Sequence, residues 1–395
     1  MQLFRVLKKG THIAGGLDHF VGVTQVRYNA SQSVPHIPVM VDEVTQLLRP
    51  QDGKVYIDMT FGAGGHTRRL LDSNKAIKVI TVDRDPVAYL KAQELAKEVA
   101  IKSEKFNLNQ TVIPVHGKFS TVMRQIHLSG VPYASVHGVL FDLGASSMQF
   151  DDPKRGFSIS EDGPLDMRMD TTNASDLTAE DVVNNLSQKS LEKIIKIYGE
   201  ERRSKKLSNA LVDARSLMGR IKTTRELVNI ISSVAAPSKD AMGRYAHGGT
   251  KLFQALRIFV NNELNELNYA LEKVRDFLIP SKVTKLDNGE DLIHEPYGIA
   301  VVLTFHSLED RIVKRQFQSV DLDAPQFPSV THHDRIQTNV LPGLKEVKDL
   351  GCYKNWLPLL KHVDKPSDAE IAANPRSRSA KLRAALRIDE HMDRD

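Results

Sequence analysis

The chain has 395 residues, which predicts two or three domains of roughly 150 residues each, or one large domain with an insertion. Apolar residues make up 41% and charged residues 26%, as in an ordinary globular protein that buries its core without covalent cross-links. The single cysteine, Cys352, excludes an intrachain disulfide framework and a zinc site built on paired cysteines. No apolar run approaches the length of a membrane span. The net charge of +5 permits an anionic partner such as nucleic acid but does not require one.

Residues 1–35 differ from the rest of the chain in composition. They hold four basic residues and scattered hydroxyl groups against a single acid, Asp18. This basic, acid-poor and mildly amphipathic composition is typical of a mitochondrial transit peptide, which would deliver the protein to the mitochondrial matrix. A disordered N-terminal tail is the alternative, and composition alone does not decide between the two.

From Val39 onwards, helices and buried strands alternate. The predicted elements are a helix over 40–48, strands over 54–58, 77–82, 112–115 and 136–141, and helices that open at Thr67 and at Pro86. Alternation of this kind predicts βαβ units, that is, an α/β fold with a parallel sheet and helices on both faces.

Between about residues 156 and 250 the alternation stops, and the sequence shows helical patterns without a convincing strand. Further elements are predicted after this stretch: a long helix over 250–278, a fifth strand over 299–305 and a helix over 308–318. Residues 380–388 alternate apolar and basic side chains, which predicts a strand with one basic face, with a helix as the competing interpretation. The predicted domains are a discontinuous sheet domain over 36–155 and 251–388, a helical insertion over 156–250 and a C-terminal tail over 389–395.

The turn after the first strand, residues 60–66, is rich in glycine. Glycine lets the backbone approach a ligand closely, and the following helix offers free N–H groups. Asp83 ends the second strand 19 residues beyond Gly64, where a carboxylate accepts hydrogen bonds from ribose hydroxyls. The spacing Gly62-x-Gly64-x-x-Thr67 lacks the third glycine of the dinucleotide fingerprint, and the P-loop lysine is absent too. The turn therefore predicts a ribose-bearing ligand without a pyrophosphate, such as S-adenosylmethionine; a tight turn without a ligand is the alternative.

Two further positions belong to the same edge of the predicted sheet, because both follow strands. Phe119 lies shortly after the third strand, and Asp142 follows the fourth. Ligands of open α/β sheets lie beyond the carboxyl ends of the strands. Phe119 is therefore a candidate to cover an adenine ring, although packing in the core is the commoner role for such a residue.

Ten motifs stand in a fixed order along residues 36–388. They are Asp58-Met-Thr-Phe-Gly-Ala-Gly-Gly-His66, Asp83-Arg-Asp-Pro86, His116-Gly-Lys-Phe119, Asp142-Leu-Gly-Ala-Ser-Ser-Met-Gln149, Arg155-Gly-Phe157, Gly163-Pro-Leu-Asp-Met-Arg-Met-Asp170, Tyr198-Gly-Glu-Glu-Arg202, Phe253-Gln-Ala-Leu-Arg-Ile258, Phe305-His-Ser-Leu-Glu-Asp-Arg311 and Asn374-Pro-Arg-Ser-Arg-Ser379. In this order they resemble the MraW/RsmH family of small-subunit rRNA cytosine-N4 methyltransferases.

The resemblance implies an S-adenosylmethionine-dependent methyltransferase with a Rossmann-like sheet domain and an all-helical insertion that helps to form an RNA cleft. It implies donor contacts at Gly64, Gly65, His66, Asp83, Phe119, Asp142 and Gln149. With the basic leader, the chain is most similar to the mitochondrial members, which act on 12S rRNA and support mitoribosome assembly and translation. The implied partner is small-subunit rRNA or the assembling small ribosomal subunit, with S-adenosylhomocysteine as the second product.

Asp142 is the candidate catalytic residue. A cytosine-N4 methyltransferase must hold the exocyclic amine in line with the donor methyl group and accept its hydrogen bonds as charge develops. A carboxylate after the fourth strand suits that task, and binding of the donor alone is the alternative role. Stacked cytosine is out of reach of an active site, so the target is expected to be single-stranded or flipped into the pocket.

Basic side chains in two segments are candidates for RNA contact. They are Arg202, Arg203, Lys205 and Lys206 on the insertion, and Arg376, Arg378, Lys381, Arg383 and Arg387 near the C-terminus. A solvated charged surface is the alternative in both segments. His306 is a further candidate for base or phosphate contact; packing beside a helix that Ser307 and Asp310 cap is the alternative.

Two other functions remain open at this point. One is a methyltransferase of the same fold that acts on another amine, and the other is a ribosome-assembly factor that binds RNA without catalysis. The residues expected to bind S-adenosylmethionine are all present, which argues against a factor without catalysis. No dedicated metal site is predicted, although His332-His333-Asp334 has the residue types of a weak one.

Overall fold

The structure is a computed structural model that describes residues 38–234, 248–285, 291–318, 355–360 and 362–388, together with 238–239 and 245–246. The predictions for the leader over 1–35, for Cys352, for His332-His333-Asp334 and for the tail over 389–395 lie outside the described residues. None of the described helices is both long enough and apolar enough to cross a membrane.

The first part of the sheet domain alternates strand and helix as predicted. Its elements are α1 (Val41–Leu48), β1 (Val55–Asp58), α2 (Gly65–Leu71), β2 (Lys78–Asp83), α3 (Pro86–Phe106), β3 (Thr111–His116), α4 (Phe119–Leu128), β4 (Gly138–Asp142) and α5 (Ser147–Asp151). Asp85 caps α3 by accepting a hydrogen bond from the Val87 N–H at 2.9 Å, and Pro86 stands at the first position, where no donor is needed.

The insertion is helical, as predicted. It contains α6 (Ala179–Asn185), α7 (Gln188–Tyr198), α8 (Ser204–Met218) and α9 (Thr224–Val234), followed by the antiparallel pair β5 (Ser238–Lys239) and β6 (Tyr245–Ala246). The prediction of a stretch without strands is wrong at this pair, because strands of two residues are too short to show an alternating pattern. Buried side chains of the insertion, such as Leu191, belong to the same core cluster as Val139 of β4. The insertion and this face of the sheet therefore share one core.

The sheet domain then resumes. Its elements are α10 (Thr250–Asn261), α11 (Glu263–Phe277), β7 (Val283–Lys285), β8 (Asp291–Ile293), β9 (Ile299–Thr304), α12 (Ser307–Gln318), β10 (Trp356–Pro358), α13 (Asp368–Ala373) and β11 (Lys381–Arg387). The prediction of one long helix over 250–278 is wrong, because Asn262 has a φ of 54° and separates two helices. Asparagine tolerates this left-handed conformation better than most residues, so the helical periodicity continues on both sides of the break.

The sheet has seven strands in the order β10-β11-β9-β4-β1-β2-β3. The five strands from β9 to β3 are parallel, whereas β11 and β10 run antiparallel to their neighbours. The chain runs outward from β1 to β3 and then returns to the other side of β1 for β4. The carboxyl ends of β1 and β4 therefore mark the topological switch point, where open α/β sheets bind ligands. The structure confirms the α/β fold class.

The terminal strand β11 is confirmed, but its basic face is not open to solvent. Lys381 and Arg383 both contact Asp310 of α12, at 3.0 Å and 2.7 Å, and the side chains are mostly buried. Arg387 donates to the carbonyl of Leu278 at 2.6 Å and to two carbonyls at the end of α11. These cations join the sheet to neighbouring helices, which an alternating pattern in one segment does not reveal.

Candidate active-site cleft

A large cleft lies at the carboxyl edge of the sheet. Its volume is about 1330 Å³, and it is lined by residues of the β1–α2 turn, the ends of β2 and β4, the start of α4, the β9–α12 turn and α10. Pockets for small molecules usually measure about 300–1,000 Å³. The cleft therefore has room for a nucleoside-sized cofactor and a second molecule beside it.

The glycine-rich turn forms one wall of the cleft. Gly64 has a φ of 80°, and a Cβ atom there would stand 2.6 Å from the ring of Phe61. A Cβ atom on Gly65 would stand 2.7 Å from Cγ of Pro38. Real Cβ atoms do not approach so closely, so a side chain at either position would force Phe61 or Pro38 to move, whereas glycine leaves the backbone at the start of α2 open to a ligand.

Asp83 lies at the end of β2 and faces the cleft, as predicted. Its Oδ2 accepts the Gly62 N–H at 2.7 Å, and its Oδ1 accepts the Asp85 N–H at 2.9 Å. Burial raises the pKa of Asp83 to about 6, although these two hydrogen bonds oppose the rise. Each carboxylate oxygen accepts more than one hydrogen bond, so Asp83 keeps capacity for two ribose hydroxyls.

Asp142 and His66 meet at the switch point. His66 Nε2 lies 3.5 Å from Asp142 Oδ2, and Thr60 Oγ1 accepts the Asp142 N–H at 2.6 Å. Within the described residues, Asp142 Oδ1 and both ring nitrogens of His66 are buried without a hydrogen-bond partner. Burial lowers the pKa of His66, but the contact with Asp142 outweighs this effect and leaves the pKa above its ordinary value. Buried polar atoms without partners carry a desolvation cost, which a polar ligand in the cleft would relieve.

Behind this pair, Asp58 ends β1 and is almost completely buried. It accepts hydrogen bonds from Thr67 Oγ1 at 2.7 Å and from the Thr60 N–H at 3.1 Å, so it organises the turn from behind. Burial is the largest effect on Asp58 and raises its pKa.

Phe119 and Gln149 also line the cleft, in two different ways. Phe119 begins α4 and packs edge-on against Phe141, with ring centroids 5.7 Å apart, so it is half in the core and half at the cleft wall. Both ends of the Gln149 amide are bonded: Oε1 accepts the Ser146 N–H at 3.0 Å, and Nε2 donates to Asp85 Oδ2 at 2.8 Å. Gln149 is therefore tied to the protein, and the part of it open to a ligand is limited.

Asp85 connects the part of the cleft that is expected to bind the methyl donor with the start of the insertion. Arg155 donates to Asp85 Oδ2 at 2.8 Å and to the carbonyls of Arg168 and Met169 at 3.0 Å and 2.9 Å. The buried Asp85 carboxylate thus accepts hydrogen bonds from Arg155, Gln149 and the Val87 N–H. The motifs that contain Asp85 and Arg155 were noticed in the sequence, but this pairing was not predicted.

His306 lies on the opposite wall, at the start of α12. Its Nε2 stands 3.0 Å from Glu309 Oε1, while Glu309 Oε2 accepts the Phe305 N–H at 2.8 Å. The capping residues are therefore His306 and Glu309, and the predicted pair of Ser307 and Asp310 is wrong by one position. Burial opposes ionisation of Glu309, but His306 and Arg257 outweigh it and hold its pKa below the ordinary value.

Arg257 and Glu263 complete this wall and were assigned no role from the sequence. Arg257 donates from Nε and Nη2 to the two carboxylate oxygens of Glu263, both at 2.9 Å. Ligand-type atoms of Glu263, His306 and Glu309 lie within 4.8 Å of one another, a spacing that suits a metal ion. The guanidinium of Arg257 already neutralises Glu263, so this arginine takes the place that a metal ion would otherwise have beside the carboxylate. Arg257 and Glu309 both stand inside motifs of the sequence, and this is the sequence feature by which they could have been identified.

The predicted RNA-contact residues fall into two groups. Within the described residues, Arg202, Lys205, Lys206 and Arg378 are exposed and form no ion pair. The others are paired with acids or with carbonyl groups: Arg203 with Glu201, Arg376 with Asp151, Lys381 and Arg383 with Asp310, and Arg387 with carbonyls of α11. RNA contact by any of these residues stays a prediction.

Two of the unpaired cations have a clear relation to the cleft. Arg378 lies on its rim. Arg202 follows a loop in which Glu200 bonds to Ser307 and to Arg311 at 3.1 Å, beside His306 of the cleft wall. Arg378 therefore places positive charge at the rim of the cleft, and Arg202 follows a loop that contacts the start of α12.

The chain matches the MraW methylase family over residues 33–388. It is 42% identical to the probable methyltransferase-like protein 15 homolog of Drosophila melanogaster, over 90% of this chain and 94% of that protein. It is 42% identical to the 12S rRNA N(4)-cytidine methyltransferase METTL15 of Bos taurus, over 89% and 83% of the two chains. The ribosomal RNA small subunit methyltransferase H of Methylobacterium nodulans is 39% identical, over 90% and 91%. These matches confirm the resemblance seen in the motifs, and the chain belongs to the MraW methylase family.

Proposed function

We propose that this protein transfers a methyl group from S-adenosylmethionine to the N4 amine of a cytidine in the 12S rRNA of the mitochondrial small ribosomal subunit. The family supports methyl transfer, and the name of the bovine relative supports the 12S rRNA and the N4 atom. In this role the protein acts in the mitochondrial matrix on the assembling small subunit and supports mitochondrial translation. The observation that carries the proposal is the buried, unpartnered Oδ1 of Asp142 beside the glycine-rich turn.

The donor fits the residues around the turn. Gly64 and Gly65 leave the backbone open, Asp83 has acceptor capacity for ribose hydroxyls, and Phe119 presents an aromatic surface for adenine. Asp142, His66 and Gln149 border the same space. A cradle without a third glycine or a P-loop lysine suits a nucleoside that lacks a pyrophosphate.

The cytosine amine is a poor nucleophile because its lone pair is delocalised into the ring. S-adenosylmethionine, when bound, supplies an electrophilic methyl group on a sulfonium. The Asp142 carboxylate accepts a hydrogen bond from the amine, which orients the nitrogen and offsets the positive charge that develops on it. The methylated nitrogen then releases its extra proton to this carboxylate or to water. His66 Nε2 lies 3.5 Å from the other carboxylate oxygen, and this electrostatic contact helps to hold the Asp142 side chain in place.

RNA approaches the cleft under the attraction of exposed, unpaired cations. Arg378 lies on the rim, and Arg202, Lys205 and Lys206 lie at the start of α8 or just before it; all four supply long-range attraction for phosphates, so binding should weaken as the salt concentration rises. The target base must leave its stack to enter the cleft, so a paired duplex should react more slowly than a single strand. Equal rates on both would contradict this part of the proposal.

The role of Asp142 is tested by separating donor binding from chemistry. In Asp142→Ala, single-turnover methyl transfer at saturating donor should fall by about 100-fold or more, a much larger factor than any loss of affinity for S-adenosylhomocysteine. Asp213→Ala, at an exposed position of α8, is the matched control and should behave like the wild type. Loss of donor binding with unchanged single-turnover chemistry would assign Asp142 to the donor instead.

A further inference from the structure

Arg257 has one guanidinium nitrogen to spare. Nε and Nη2 are both bonded to Glu263, and the side chain is only 14% exposed. Nη1 has no hydrogen-bond partner in the part of the chain that the structure describes. This nitrogen lies 3.9 Å from the point where a Cβ atom of Gly144 would stand. A fixed donor therefore lies beside Gly144 in the cleft lining, two residues beyond Asp142.

The space beside the Gly144 backbone, called the slot below, is bordered by an aromatic ring and a guanidinium nitrogen. Gly144 has a φ of 97°, so the position favours glycine and carries no side chain. Phe305 Cδ2 lies at the same distance from that point as Arg257 Nη1, 3.9 Å. An aromatic edge and a guanidinium nitrogen thus flank one bare backbone position, and all three residues line the cleft.

The charges around Arg257 determine which kind of hydrogen-bond acceptor it can bind. Glu263 is bonded directly to it, and Glu309 acts on it as a second negative charge. One guanidinium between two carboxylates leaves these three side chains without excess positive charge. Such a cluster does not attract a phosphate, whereas a neutral acceptor can use the donor without a charge penalty.

We propose that Arg257 Nη1 reads the N3 and O2 edge of the target cytosine while Asp142 holds the N4 amine. This inference rests on the proposed function and names the residue that determines its base specificity. Cytosine presents N3 and O2 as neighbouring acceptors next to N4. Adenine has an amine beside one ring acceptor but carries C–H where cytosine carries O2, and uracil carries a proton on N3. Glu263 is the positioning residue, because its two bonds fix the guanidinium plane.

The test compares nucleosides that differ at the acceptor. We expect cytidine to bind the protein loaded with S-adenosylhomocysteine about 10-fold or more tightly than 3-deazacytidine, in which C–H replaces N3, as measured by ligand-observed NMR titration. This comparison needs no variant of the protein. Equal affinities, or no binding of cytidine, would overturn the inference.

A variant links the preference to the guanidinium. Arg257→Met alone leaves Glu263 buried and unpaired, so the double variant R257M/E263M removes both charges together. We expect its cytidine to 3-deazacytidine affinity ratio to fall to about one, with an unchanged affinity for S-adenosylhomocysteine. Arg215→Met, a half-buried arginine of α8 that bonds to two carbonyls away from the cleft, should keep the full ratio. A cytidine to 3-deazacytidine affinity ratio as large in the double variant as in the wild type would contradict the role of Arg257.

The outcomes separate this inference from the proposed function. Nucleoside binding needs no methyl transfer, so Arg257-dependent cytidine binding without N4 methylation would refute only the proposed function. Efficient N4 methylation with equal affinities for the two nucleosides would refute only the role of Arg257. Cytidine 5′-monophosphate that binds more tightly than cytidine, through Arg257, would assign this donor to a phosphate and overturn the inference.

Discussion

Replacement of Arg155 by methionine should destabilise the protein strongly, because Arg155 completes a buried charge network. Its side chain is 13% exposed and lies 2.8 Å from Asp85 Oδ2, and Asp85 is 2% exposed. The substitution leaves the Asp85 carboxylate with only two donors, Gln149 Nε2 and the Val87 N–H, and removes the donor to the carbonyls of Arg168 and Met169. Breaking a buried pair from one side costs about 3–5 kcal/mol.

A double-mutant cycle tests the reason for this loss. In R155M/D85N both charges are gone, so the double variant should lose about 1–3 kcal/mol less than the sum of the two single variants. The free energy of unfolding is measured by urea titration followed by circular dichroism, with S-adenosylhomocysteine affinity as a second readout because Gln149 shares Asp85. A strictly additive cycle would refute the reasoning, since it would mean that the two side chains act independently.

Three further predictions concern the two walls of the cleft. Burial places the pKa of Asp83 at about 6, so the affinity for S-adenosylhomocysteine should fall as the pH drops through 6, and calorimetry on Asp83→Asn should show no such dependence. Glu309 has a folded pKa below its ordinary 4.5, so its contribution to stability is present above pH 4.5 and lost as the pH falls through the folded value. Glu309→Gln should therefore lower the free energy of unfolding by about 3–5 kcal/mol at neutral pH. The variant should also lose less stability than the wild type below pH 4.5, and an unchanged pH dependence would contradict this. Gly144→Ala should cost about 1–2 kcal/mol of stability and weaken cytidine binding by filling the slot beside Arg257, and unchanged cytidine affinity would contradict the slot.

The parts of the fold that were predictable are those with local signals. The alternation of buried strands and helices indicated the parallel sheet, and the glycine spacing with Asp83 indicated the donor side of the cleft. The break at Asn262 was not predictable from periodicity, because the apolar pattern continues across it. Strand β11 was predictable from its alternation, but the partner of its cations was not. Asp310 lies on a helix far away in sequence, and only the sheet order brings it to Lys381 and Arg383.

The same distinction applies to the cleft. Asp142 was predictable because it ends a strand at the ligand-binding edge. The pairing of Arg257 with Glu263 depends on the turn at Asn262, which places the first residue of α11 back against α10. Pairings of this kind arise from tertiary geometry, which a motif marks but does not explain.

Mass spectrometry of nucleosides tests the central claim most directly. Small-subunit rRNA is incubated with the protein and S-adenosylmethionine carrying a heavy methyl group, then digested to nucleosides, with Asp142→Ala as the control. The account predicts heavy N4-methylcytidine with the wild-type protein and its loss with the variant. Heavy methyl on another nucleoside, or no transfer to RNA at all, would contradict it.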